Sequence, residues 1–309
     1  MVSGPVATFD AHSPGARAIA SLFTQTLIIC GVIGVVVFGL VAYCVVRFRA
    51  KEGSAEPKQL HGHTKLEITW TLIPLAIVIG IFVLTLRATG ESDPPADRQP
   101  DVVVTGHQWW WGVQYRSGAI TANEIHIPVG KRLLFSIEAS DVIHDFWVPQ
   151  LARKMDAVPG HPSSIWVEAD EPGTYLGACA EYCGAQHAWM RIVVIAEPQE
   201  QFDAWEKRQL DAVPAPEGDA AKGAKVFNEH TCVRCHAVGA PGEQARVAPD
   251  LAHLAGRSTL GAGVLANTPD NLGRWLRDPQ GVKPGCHMPD LQLTDDEVGA
   301  LVAYFETLR

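Results

Sequence analysis

Cys179-Ala-Glu-Tyr-Cys183-Gly-Ala-Gln-His187-Ala-Trp-Met190 gathers two thiols, an imidazole and a thioether within twelve residues. Thiolate, imidazole and thioether together are the soft ligand set that copper prefers. Helical spacing would put residues 179, 183 and 187 on one face. The flanks argue against a helix: Gly177 and Gly184 break it, and Gly173–Leu176 before and Arg191–Ile195 after read as strands. The donors therefore belong on one loop between two β-strands. A Cys179–Cys183 disulfide is allowed outside the cytosol, but it gives His187 and Met190 nothing to do. Zinc takes cysteine and histidine and rarely methionine. Copper is the reading that uses all four side chains.

The pattern Cys-x-Glu-x-Cys-x3-His-x2-Met resembles the dinuclear copper (CuA) loop of cytochrome c oxidase subunit II. The resemblance implies one more histidine upstream on a strand, and His144, in Ser140-Asp-Val-Ile-His-Asp-Phe-Trp-Val-Pro149, fills that place. It also implies that the Cys179 and Cys183 thiolates bridge two coppers and that Glu181 ligates through its backbone carbonyl. The Glu181 side chain is then the group that faces a magnesium ion shared with subunit I.

Working outward, 309 residues imply two or three domains. A formal net charge of −9 argues against nucleic acid as a partner. The charge is uneven: residues 1–90 carry 7 basic and 4 acidic side chains, residues 91–216 carry 9 and 18, and residues 217–309 carry 9 and 12. The two regions after residue 90 are acidic, so a cationic electron donor is expected. Seven cysteines lie at 30, 44, 179, 183, 232, 235 and 286. Four belong to ligand motifs and two to apolar runs, which leaves no disulfide framework and only Cys286 unassigned.

Residues 1–20 lack the positive start of a signal peptide and read as a short polar lead-in. Leu27–Val46 and Ile68–Leu86 are uncharged apolar runs, each long enough to span a hydrocarbon core of about 30 Å. Both are too long and too uniformly apolar for buried helices of a soluble core. We expect transmembrane helices over about 22–47 and 68–88 within an N-terminal region 1–90, with Pro74 kinking the second. Between them stand Arg47, Arg49, Lys51, Lys58 and Lys65, which mark that loop as cytoplasmic. Both termini and everything after residue 90 then face outward, to the periplasm of a bacterium. Glu67 opens the second helix, where the helix dipole favours a carboxylate. Glu67-Ile-Thr-Trp70 followed by Thr-Leu-Ile-Pro74 also resembles the family's second helix. That resemblance implies a place at the mouth of a proton channel in subunit I.

Glu91–Pro100 is a proline-rich hinge, and a β domain follows over 91–200. Asp101–Thr105 opens it, and strand-like runs follow near 109–116, 122–127, 132–138, 143–148, 163–168, 173–178 and 190–196, separated by turns such as Glu171-Pro-Gly173. Many short strands without helices between them predict a Greek-key barrel or sandwich, and the resemblance implies a cupredoxin-like one. Gly106-His-Gln-Trp109-Trp110-Trp111 is an aromatic run of the kind that most often packs. In the resembled family this segment lies over the copper site, which implies that electrons come in at Trp109, with Trp110 and Trp111 left as packing. Lys154-Met-Asp156-Ala-Val-Pro-Gly160 is similar to a segment near subunit I, although His161 stands where many members carry arginine.

Gln199–Ala215 reads as a short amphipathic helix and then a linker at Pro214-Ala-Pro216, so that 201–216 separates two domains. In the last domain, 217–309, Cys232-Val-Arg-Cys235-His236 is the signature of covalent c-type haem attachment, with His236 on the iron. A thioredoxin-like Cys-x-x-Cys gives the histidine no purpose. Asp219–His230 reads as a helix packing through Gly223, Val226 and Phe227. Thr294 caps a final helix whose apolar positions are Val298, Leu301, Val302 and Phe305. Lys283-Pro-Gly-Cys-His-Met288-Pro289 resembles the methionine loop of class I cytochrome c. Met288 is thus the second axial ligand, ahead of its neighbours His287 and Cys286.

The whole chain resembles subunit II of a caa-type haem–copper oxidase: a two-helix transmembrane hairpin, a cupredoxin-like β domain and an all-α cytochrome c domain. The resemblance implies subunits I and III as partners, the lipid bilayer as surroundings, and electron transfer from haem c to CuA to haem in subunit I. A quinol oxidase subunit II lacks the copper ligands. A copper carrier or sensor has no use for haem c, and the CuA protein nitrous oxide reductase carries a propeller of which no repeat is visible here.

Overall fold

The computed structural model describes residues 6–49, 51–53, 56, 58–92, 94, 98–238 and 247–309. Of the expected hinge, residues 93 and 95–97 lie outside the described residues, as do residues 1–5 of the lead-in. The chain divides into two compact units, residues 17–92 and residues 1–16 with 93–309.

The first unit is built on two helices, α1 (Pro14–Arg47) and α2 (Thr64–Ser92). Their most apolar windows have mean hydropathies of 2.8 and 2.3, and none of those window residues is buried. Side chains such as Phe38 and Phe82 stand exposed, as lipid-facing residues do. Both helices start earlier than the apolar runs, at 14 rather than about 22 and at 64 rather than about 68. Backbone hydrogen bonding continues past the end of an apolar stripe, and α2 also runs through Pro74. Residues 12–16 of the lead-in are anchored. His12 and Ser13 hydrogen-bond to the β domain through the Gln150 and Leu151 carbonyls, and Ser13 and Ala16 are buried.

The β domain holds ten strands: β1 (Val102–His107), β2 (Trp110–Tyr115), β3 (Ile120–Ala122), β4 (Glu124–Pro128), β5 (Leu133–Ala139), β6 (His144–Trp147), β7 (Met155–Ala157), β8 (Ser163–Val167), β9 (Gly173–Cys179) and β10 (Arg191–Glu197). They form two five-stranded sheets, ordered β3-β2-β1-β5-β8 and β4-β10-β9-β6-β7. Alternation is clean: in β2 the inward Trp111, Val113 and Tyr115 are buried, and in β9 Tyr175, Gly177 and Cys179 are. Each large apolar side chain so buried stabilises the fold by about 1.5–3 kcal/mol before chain entropy is counted. The expected single strand 122–127 is two, broken at Asn123, whose φ is +63°. β7 carries too little pattern in three residues to be seen in the sequence.

α3 (Gln199–Leu210) packs Phe202 and Trp205 into this same core, and the Trp205 ring stacks on His126 at 4.1 Å. The helix therefore belongs with the β domain, and the tether assigned to 201–216 starts only after Leu210. The cytochrome domain follows with α4 (Gly218–Glu229), α5 (Pro269–Arg277), α6 (Pro279–Val282) and α7 (Asp295–Thr307) around Phe227, Leu301 and Phe305. α4 crosses α7 at Gly223, where a Cβ would stand 2.0 Å from the Ala300 carbonyl oxygen, so only glycine fits. Thr294 caps α7 in a capping box with Glu297.

Candidate copper and haem centres

The copper loop is held closed by backbone. β9 ends at Cys179, whose N–H donates to the Met190 carbonyl at 2.9 Å. Ala180 donates to the Asp145 carbonyl of β6 at 3.0 Å. A 3-10 turn at His187–Trp189 fills the loop. Phe146 pairs with Cys179 across β6 and β9, which brings His144, the first residue of β6, beside the loop. Gly106 leaves room for it: a Cβ there would lie 2.7 Å from the His144 ring.

The donors converge as the spacing predicts. The Cys179 and Cys183 sulfurs are 3.7 Å apart, and His144 Nδ1 lies 3.9 Å from Cys179 Sγ. His187 Nδ1 lies 3.7 Å and Met190 Sδ 3.8 Å from Cys183 Sγ, and the Glu181 carbonyl is 3.2 Å from Cys179 Sγ. His144, Cys179, Cys183 and Met190 are buried. Two free thiols between two imidazoles, a thioether and a carbonyl suit a soft metal. The hydrogen bond between the sulfurs lowers the Cys179 thiol and raises Cys183, because the two share one proton. Asp141 accepts from His144 Nε2 at 2.8 Å, which fixes the tautomer and frees Nδ1 to ligate. Burial opposes charge on both groups, but this bond and the Val142 and Gln108 amides lower Asp141, while Asp141 and Cys179 raise His144.

The haem motif sits on a 3-10 turn at Cys232–Arg234 after α4. Cys232, Cys235, His236 and Met288 line one cavity. His236 Nδ1 donates to the Pro249 carbonyl at 2.7 Å, leaving Nε2 free to ligate a metal. Burial lowers the His236 pKa, which favours the neutral imidazole that iron needs. These residues fit covalently attached haem. Met288 packs against the cytochrome core, whereas His287 turns its ring onto Trp109, centroids 4.8 Å apart. Cys286 receives a hydrogen bond from Gln280 at 3.4 Å.

Trp109 stands in both sites. Its indole N–H donates to the Cys183 carbonyl at 3.0 Å, alongside Gln108 at 2.7 Å, and its ring lines the haem cavity. Trp111 is core, as expected, but Trp110 is more than packing: it lines the same cavity and stacks on His107 at 4.1 Å. Burial brings the His107 imidazole down to about 4. Glu67 accepts from the His63 N–H at 2.9 Å, at the start of α2. Glu124, Lys283 and Asp145 are among the buried polar groups that sequence reasoning missed. Glu124 and Lys283 gave no signal, being lone charges in a strand and a loop. Asp145 neighbours His144, and burial plus the hydrogen bond it shares with Asp156 raise it to about 7.

A membrane-anchored chain joining a soft-metal cupredoxin-like domain to a c-type haem domain is an electron-transfer protein. Family profiles match along it: the transmembrane domain of cytochrome c oxidase subunit II over residues 5–88, the periplasmic domain of that subunit over 119–197, and cytochrome c over 220–309. It is 39% identical to cytochrome c oxidase subunit 2 of Alkalihalophilus pseudofirmus, over 97% of this chain and 90% of that one. It is 36% identical to the same subunit of Bacillus sp. strain PS3, over 85% and 80%. Quinol oxidase subunit 2 of Bacillus cereus is 31% identical over 68% of this chain and 75% of its own. The chain belongs to the cytochrome c oxidase subunit II family and is an electron-transfer subunit of a haem–copper oxidase carrying copper and haem c.

Proposed function

We propose that this chain carries electrons from an outside donor through haem c to a dinuclear copper (CuA) centre and on to haem in subunit I, where oxygen is reduced to water. The observation that carries the reading is Trp109, hydrogen-bonded to the copper loop on one side and lining the haem cavity on the other. Bound copper and haem iron supply one-electron redox chemistry. Cys232 and Cys235 would tether the haem, with His236 and Met288 on its iron. His144, Cys179, Cys183, His187, Met190 and the Glu181 carbonyl would hold the copper pair, with Asp141 orienting His144. The complete donor set favours this function over that of the quinol oxidase relatives.

The basic residues Arg47–Lys65 between the two helices favour a cytoplasmic loop, with both redox domains on the outer side. The exposed Glu181 carboxylate is the group that would reach a magnesium ion shared with subunit I, and Glu67 would stand at that subunit's proton channel. Subunit III completes the assembly. The acidic surface of residues 91–216 suits a cationic donor. Metal analysis of the purified chain tests the core of this reading. We expect two coppers and one haem per chain; a single copper, or none, rejects the dinuclear centre.

A further inference from the structure

The seam between the β domain and the cytochrome domain contains two buried charges that exchange sides. Glu124, at the start of β4, is 2% exposed. Its carboxylate accepts from the Ser258 N–H and hydroxyl, both at 2.8 Å, and from the Thr259 N–H at 2.9 Å and hydroxyl at 3.2 Å. All four donors belong to the cytochrome domain. Lys283, from the cytochrome domain, is 4% exposed. Its ammonium donates to the carbonyls of Trp109 at 3.0 Å and Trp189 at 3.1 Å, both in the β domain, and to Gly261 of its own domain at 2.9 Å. Neither charge forms a salt bridge among the described residues, although Arg257 lies close enough to attract Glu124.

Taking a carboxylate or an ammonium out of water costs several kcal/mol unless dipoles replace the hydration. Here those dipoles come largely from the opposite domain. Sliding the domains by one hydrogen-bond spacing would strand both charges, so the contact tolerates one register. Close backbone approach adds to this: the Arg191 N–H donates to the Ala262 carbonyl at 3.1 Å, and a Cβ on Gly263 would lie 2.8 Å from Arg191 Cβ.

We propose that Glu124 and Lys283 form a reciprocal lock that holds the cytochrome domain on the copper domain in the single register that seats His287 on Trp109. The lock replaces a tethered search with a fixed docked state, and only its consequence for electron transfer rests on the function proposed above. Tethering through Pro214-Ala-Pro216 raises the effective concentration; the lock then fixes orientation.

Hydrogen exchange on the full-length chain with its cofactors tests this directly. In the unmodified protein the Ser258 and Thr259 amides exchange slowly. Lys283→Met does not touch those amides, yet should speed their exchange roughly tenfold or more by releasing the whole seam. Glu124→Gln should do the same and should also loosen the Arg191 amide. Ser258→Ala, which removes one hydroxyl only, gives a smaller change and serves if either charge variant fails to fold. Unchanged Ser258 and Thr259 protection in Lys283→Met, or fast exchange in the unmodified protein, overturns the lock. A second measurement separates the lock from the function. Electron transfer between the two centres should be independent of solvent viscosity in the parent and viscosity-dependent in Lys283→Met. If no electron passes between the centres in the parent although its seam is protected, the function is wrong and the lock stands.

Discussion

The copper loop and the haem cavity position their donors by opposite means. In the copper loop, backbone bonds from Cys179 to Met190 and from Ala180 to Asp145 bring the donor groups together on a β scaffold. The haem side has no such scaffold. Its two cysteines lie on a short turn, Met288 comes from a distant loop, and a cavity separates them. A site formed by the polypeptide survives loss of its metal, whereas a site built around a large apolar group loses part of its core with that group.

The sharpest test removes each cofactor in turn. Replacing both Cys232 and Cys235 by alanine should abolish covalent haem and unfold the cytochrome domain. The cavity next to Phe227, Leu301 and Phe305 would then stand open to water. Loss of helical circular dichroism, with copper still bound, is the expected result. A cytochrome domain that stays folded without haem would erase the contrast.

Cys183→Ser attacks the other side and should have a smaller effect on folding. It takes away one of the two thiols proposed to hold the copper, so copper should be lost while haem absorbance remains. The cooperative melting of the β domain should persist, because Cys183, Cys179 and Met190 are only one edge of a core that the strands supply through Trp111, Phe135 and Phe146, and serine keeps nearly the volume of cysteine. A variant that keeps two coppers and full activity would show that the ligands are assigned wrongly.

Met288→Ala comes next. If Met288 is the iron ligand proposed above, its loss should lower the haem potential and let carbon monoxide bind the reduced iron. Haem should stay attached through Cys232 and Cys235. No change in either property would move the axial ligand to another residue of the loop, although His287 is already engaged with Trp109.

The clusters of donor side chains were legible because metal chemistry needs particular side chains at short, regular spacings, and both motifs carry theirs within a few residues. The β domain was legible through its many short strand-like runs separated by turn residues. What stayed hidden depends on distant partners. Glu124 begins a strand like any polar residue, and only Ser258 and Thr259, far along the chain, make it a buried anchor. Lys283 reads as a solvated cation until Trp109 and Trp189 close over it, where burial brings its pKa down to about 8. Trp110 looked like packing because nothing local says that a cavity lies beside it. The start of α1 was missed because residues 14–20 lack the apolar run that marks the rest of the helix.

The smallest expected effect is at Glu67, where two roles overlap in one carboxylate. Its oxygen accepts from the His63 N–H at 2.9 Å, a bond that satisfies one of the free donors at the start of α2. A carboxylate in that first turn also gains about 0.3–1 kcal/mol from the helix dipole. Glu67→Gln separates these from proton chemistry. Glutamine keeps an oxygen that can accept from His63, so the helix start should hold, losing only the dipole contribution. Glutamine cannot take up a proton and release it. If Glu67 serves proton uptake into subunit I, turnover of the assembled oxidase should fall in this variant. Copper and haem absorbance should match the parent, because both centres lie in the other compact unit. The comparison to make is Glu67→Gln against Glu67→Ala: equal slowing in both points to the proton, whereas slowing in alanine alone points to the helix start. Unaltered turnover in glutamine across the neutral pH range leaves Glu67 with the helix-start role only.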